Sequence, residues 1–187
     1  MVYVAKAESL DPSNPRQGFK TVVPGLYHVQ IDDAQMDEKN EQFVNFKLTI
    51  VGVAKDGGDM SMIGETHQER IYIYDNNRDM KWADKKFTSI MYCCGLIDEA
   101  SYKKLVESGN GIPIHFEDMP GRTMVVRLSK RKDKDGKEMQ YNEVGLNYFP
   151  LDSDEAKLVH LNMNLIDANG NTANDAKTQQ AITDDIF

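Results

Sequence analysis

Two cysteines among 187 residues, Cys93 and Cys94, stand side by side and can neither staple distant segments nor supply a four-ligand zinc site. A reducing compartment is the natural setting. No apolar run approaches the roughly 20 residues that cross a bilayer, and the N-terminus lacks a basic-then-apolar secretion pattern. A soluble cytoplasmic protein with no membrane partner is therefore expected. The four histidines, His28, His67, His115 and His160, lie far apart; HExxH, CxxC, a phosphate-cradling glycine loop and a serine elbow are all absent. No enzyme, cofactor or metal site is expected, although a nuclease built from scattered Asp and Glu is the residual enzyme reading. His67 and Glu69 share a strand face, as countless structural pairs do. Positive charge is also short: 22 Lys and Arg against 30 Asp and Glu leave a net charge of −8, which argues against indiscriminate polyanion binding.

The deficit is concentrated at one end. From residue 151 onward seven acidic residues face only Lys157 and Lys177, a net −5 of the −8. Residues 167–183 (DANGNTANDAKTQQAIT) have almost nothing to bury, so their composition predicts a disordered tether. It ends in Asp184, Asp185, Ile186 and Phe187, an apolar pair on a charged leash. A basic-rimmed pocket on a partner protein would hold the carboxylates while burying Phe187.

Between the ends the period is mostly that of strands. Pro24-Gly25 signals a turn into residues 26–32, where Tyr27, Val29 and Ile31 alternate with His28 and Gln30. In residues 42–52, Val44, Phe46, Leu48 and Ile50 oppose Phe43, Asn45, Lys47 and Thr49. In residues 66–75, Ile71 and Ile73 oppose Gln68, Arg70, Tyr72 and Tyr74. The period then becomes helical: Ala83, Phe87, Ile90, Met91 and Cys94 form an apolar stripe that Gly95 ends, and Asp98 caps a second helix. Strand alternation returns after Pro120-Gly121, with Met124, Val126 and Leu128 against Val125, Arg127 and Ser129. A charged turn follows, and residues 138–149 read as the hairpin partner.

Three strands, a helical insertion and a two-stranded hairpin are the order of a five-stranded Greek-key OB-fold barrel, the insertion between the third and fourth strands plugging its end. An open β-sandwich is the competing architecture. The expected divisions are an N-terminal arm (1–19), the OB-fold domain (20–150), an extension ambiguous between strand and helix (151–166) and a flexible acidic tail (167–187).

If the Ile71 side is core, the opposite face collects Phe43, Lys47, Arg70, Tyr72, Tyr74 and Arg127. Rings interleaved with cations suit single-stranded nucleic acid: bases stack at about 1–3 kcal/mol each while Lys and Arg neutralise phosphates. The ordinary reading makes the tyrosines plain strand formers. Residues 122–137 hold Arg122, Arg127, Lys130, Arg131, Lys132, Lys134 and Lys137 against Asp133 and Asp135, a net +5. A charged hairpin tip is commonly just a solvated turn, but in an OB-fold it flanks the nucleic-acid groove, and Tyr141 follows it with another ring.

The Pro24-Gly25-Leu26-Tyr27 opening, the strand from Arg70 to Tyr74, Cys94-Gly95-Leu96, Pro120-Gly121-Arg122 and the terminal Asp184-Asp185-Ile186-Phe187 resemble phage single-stranded DNA-binding proteins. Those have one OB-fold domain and an acidic tail ending in Phe. The chain departs from bacterial counterparts in lacking a Gly- and Pro-rich linker and a proline before the final Phe, and it adds a segment around Leu158. The resemblance implies sequence-independent protection of single-stranded DNA in a host cytoplasm. It also implies a tail that competes weakly for the groove and recruits replication or recombination enzymes. A homodimer stays open. The alternative is an adaptor β-domain that docks onto a protein through the tail, without nucleic acid.

Overall fold

The computed structural model describes residues 22–40, 42–73, 81–108 and 115–162. The arm, Tyr74 and the whole tail, Asp184 to Phe187 included, lie outside the described residues. Among the described residues six antiparallel strands make one open sheet: β1 (Gly25–Met36), β2 (Phe43–Val53), β3 (Thr66–Tyr72), β4 (Thr123–Lys132), β5 (Glu138–Glu143) and β6 (Tyr148–Phe149). Their order is β3-β2-β1-β4-β5, with β6 also paired to β4. Helices α1 (Lys81–Cys93) and α2 (Glu99–Ser108) fall between β3 and β4, as the change of period predicts, and the short α3 (Asp154–Lys157) follows β6.

Alternation decides which side is dry. Val44, Phe46, Leu48 and Ile50 of β2, Ile71 of β3, and Met124, Val126 and Leu128 of β4 are buried in one cluster with Ala83, Phe87, Ile90 and Met91 of α1. Gly95, at φ +75°, ends α1 with the Leu96 amide donating to the Met91 carbonyl at 2.8 Å. Asp98 caps α2 by accepting from the Ser101 amide at 2.6 Å.

Two expectations change. Residues 138–149 are not one strand, because a turn with Gly145 at φ +64° separates β5 from β6; the Arg127 amide meets the Asn147 carbonyl in the gap at 3.0 Å. Residues 151–162 are neither a strand nor a long helix. Ser153 caps the single turn α3, after which Val159 bridges Ala54, Lys55 N–H donates to the Leu158 carbonyl, and His160 N–H donates to that of Val53. The segment forms a strap across the outer face of the sheet. There Ala156 and Val159 bury Leu26 and Val125 in a second small core, so β1 and β4 are buried on both sides at this end.

Candidate nucleic-acid interface

The outer face of β2 and β3 carries the predicted rings. Phe43 pairs across the ladder with Tyr72, their centroids 5.0 Å apart and tilted by 57°. The Arg70 guanidinium lies 3.8 Å from the centroid of the Phe43 ring. Register explains the cluster, since Asn45 opposes Arg70 and Phe43 opposes Tyr72, all on the side away from the core. Lys47 opposes Gln68 on the same face, with Thr49 beyond it.

The cations here are already engaged. Arg70 Nη2 stands 2.8 Å from Asp37, and Lys47 Nζ stands 3.1 Å from Asp32, which also accepts from Thr49 Oγ1 at 2.6 Å. Asp37 closes the β1–β2 turn. The hydrogen bonds from Asn45 and the Lys39 amide, with the nearby Arg70 charge, hold its carboxyl below the ordinary carboxylate value. Both ion pairs are exposed enough for solvent to weaken them, so a phosphate can exchange in.

The remaining predicted residues divide. Arg127 is exposed on the same sheet face but opposite Leu26, whereas Arg70 lies in the row that crosses β1 at Gln35. Nine steps of about 3.3 Å along β1 separate those rows by roughly 30 Å, and the strap covers the face at the Arg127 end. Arg131, Lys132, Lys134 and Lys137 gather at the exposed β4–β5 tip with half-buried Lys130, and Tyr141 beside them is 62% exposed. Asp133 shapes that tip by accepting from the Asp135 and Lys137 amides, both at 2.9 Å, while Gly136 sits at φ +81°. Arg122 does not join them. The turn after Pro120 ties its amide to the Met119 carbonyl and its carbonyl to the Ile31 amide, leaving its side chain buried near Cys94.

The alternation of residues did not reveal two buried polar groups. His28, on the outer face of β1, is wholly buried beneath the strap, and its Nδ1 accepts from the Asn162 amide at 3.0 Å. Burial lowers its pKa to about 4. Behind β3, Glu69 meets Lys86 of α1, His67 Nε2 at 3.1 Å and the Val144 amide at 3.4 Å. Burial pushes the Glu69 carboxyl up, but His67 and Lys86 outweigh it and hold the group below its ordinary value. Only the second-turn position of the α1 stripe, where Lys86 points inward, hints at this contact.

Among the described residues no three His, Cys, Asp or Glu side chains come together as a metal site, and no helix is long and apolar enough to cross a membrane. No curated protein matches the chain. A model of the family described as protein of unknown function (DUF669) matches residues 9–157, and the chain belongs to that family.

Proposed function

We propose that this protein binds single-stranded DNA without sequence preference, through the outer face of β2 and β3. The observation that carries the reading is the Phe43, Tyr72 and Arg70 cluster, two half-buried rings and an exposed guanidinium on the outer sheet face. Rings of this kind accept any base, because every base has a flat face to stack. The finer fold belongs to the same proposal. The strand order lacks only a β3–β5 ladder to be that of an OB-fold barrel, and the Glu69 carboxylate of β3 already receives the Val144 amide just past β5. The acidic tail, read by its resemblance, competes for the cations and then recruits replication or recombination enzymes. The pairing of Arg70 and Lys47 with aspartates favours the adaptor alternative, since a surface satisfied within itself needs no phosphate.

Anisotropy of a labelled oligothymidylate separates the two. Saturable binding that weakens with salt is expected, with Tyr72→Ala losing about 5- to 150-fold, the range that about 1–3 kcal/mol per stacked base gives, and Arg70→Ala losing less because Asp37 already pairs its guanidinium. Deleting residues 184–187 should raise the affinity. An adaptor would give no saturable signal at any salt concentration.

A further inference from the structure

The proposed binding face ends at β3, which among the described residues pairs with β2 alone and is therefore an edge. Helix α1 lies behind that edge. Glu69 reaches from the inner side of β3 to Lys86, whose Nζ stands 4.5 Å from the centroid of the Trp82 ring. Gln68 and Arg70, the neighbours of Glu69, project from the outer side, so β3 carries the proposed face on one side and the contact to Lys86, beside Trp82, on the other. Trp82 is the chain's single tryptophan and is 49% exposed, while Lys86 beneath it is almost wholly buried. A large ring backed by a buried cation and open over half its surface contributes little to the core.

Trp82 is not alone on its side of the helix. At about 100° per residue, Trp82, Lys85, Ser89 and Tyr92 share one sector of α1, away from buried Ala83, Phe87, Ile90 and Met91. Lys85 and Tyr92 are exposed, and the stripe from Trp82 to Tyr92 runs about 15 Å. Its chemistry repeats that of the sheet face. There a guanidinium accompanies two rings; here an ammonium lies along the helix between two rings.

We propose that the stripe continues the nucleic-acid track: a strand crossing β2 and β3 turns over the β3 edge and stacks on Trp82 beside Lys85, with Tyr92 further along. This rests on the single-strand-binding reading above. Alternating rings and cations, continuous with the sheet face, complement a polyanion that carries flat bases. A protein partner would need a broader apolar patch than two half-open rings provide.

The test uses the full chain and labelled oligothymidylates of about 4 and about 16 nucleotides, the limits of OB-fold site sizes. Tyr72→Ala should weaken both oligomers. Trp82→Ala and Lys85→Ser should weaken the longer one at least fivefold and leave the shorter one unchanged, and the longer one should quench Trp82 emission more strongly. Lys85 is exposed and outside the core, so its variant decides the matter if Trp82→Ala does not fold. Wild-type affinity of Lys85→Ser for the longer oligomer, with unquenched Trp82 emission at saturation, overturns the proposal and leaves the sheet-face reading standing. Equal weakening of both lengths by Lys85→Ser also overturns it. No saturable binding of either oligomer overturns both.

Discussion

Acid should loosen the strap through His28, by an amount that can be worked out. The Asn162 amide donates to Nδ1, so the neutral ring carries its proton on Nε2, which is buried and has no partner among the described residues. A second proton on Nδ1 would replace the Asn162 bond and leave a charge beneath the strap. Burial accordingly lowers the pKa from 6.5 to about 4. The unfolded chain therefore binds more protons than the folded one between those two values. Stability is full above about pH 6.5 and falls as the pH drops toward 4; below that both states are protonated and the loss levels off. The difference of about 2.5 between 6.5 and 4, at about 1.36 kcal/mol each, makes the whole loss about 3 kcal/mol. Between pH 7 and pH 5 the same pair of values gives about 1.8 kcal/mol, or about 4–7 °C in Tm for a chain of this size. His28→Asn keeps an acceptor near Nδ1 and cannot titrate, while Glu69, Asp37 and Asp98, whose lowered values cost stability only in stronger acid, are present in both proteins. Differential scanning calorimetry of the two across this range should show the wild type losing those degrees relative to the variant. Parallel Tm profiles would refute the burial argument.

Three further outcomes follow from the same packing. Replacing one partner of the buried Glu69 and Lys86 pair strands the other charge, so Glu69→Leu should cost about 3–5 kcal/mol in urea unfolding, and adding Lys86→Met should restore part of it. A Cβ at Gly52 would collide with the His160 carbonyl oxygen, so Gly52→Ala should lift the strap and expose residues 158–162 to hydrogen exchange and protease while the sheet stays folded. If the hairpin contacts DNA, Lys132→Ser, Lys134→Ser and Lys137→Ser together should flatten the dependence of log affinity on log salt by about 2, at about 0.7 per lost phosphate contact on a single strand. An unchanged slope would leave the tip as a solvated turn.

The strands were legible because one face of each is dry: Val44 to Ile50 alternate cleanly, Met124 to Leu128 do so except at Val125, which the strap buries, and the ring pair Phe43 and Tyr72 follows from that parity together with the ladder register. The strap was not. Leu158, Leu161 and Leu165 fit a helix while Val159 and Leu161 fit a strand, and what decides is Gly52, whose missing side chain lets the His160 carbonyl approach β2. That approach lies more than a hundred residues away along the chain and leaves no local pattern. It also explains why His28, polar and on the wet parity of β1, is wholly buried. Arg122 misled for a related reason. It was grouped by charge with the hairpin, but parity places it on the side of Met124 and Val126, and the turn hydrogen bonds hold it there. Lys86 leaves no signal in the sequence because a lysine in a helix ordinarily faces water; here a carboxylate on the edge strand draws it in.

The charge arrangement bears on how an acidic chain can hold a polyanion at all. Screening removes interactions beyond about 10 Å, so the net −8 matters less than what stands beside each phosphate. On the sheet face the nearest groups are Asp32 and Asp37, each occupying a cation. A phosphate that takes Lys47 or Arg70 must leave a carboxylate unpaired, and the exchange gains little beyond the release of counterions. Stacking on Tyr72 displaces no carboxylate, and on Phe43 a base has to share the ring with the Arg70 guanidinium 3.8 Å from its centroid. The rings should therefore set the affinity of the face, and the exposed cations of the hairpin, of which Arg131 alone lies within 4 Å of a carboxylate among the described residues, its sensitivity to salt. The same division would suit the proposed role of the acidic tail. If its carboxylates compete, they do so for cations and not for rings, so they would slow the capture of a strand far more than they would weaken its hold once bases are stacked.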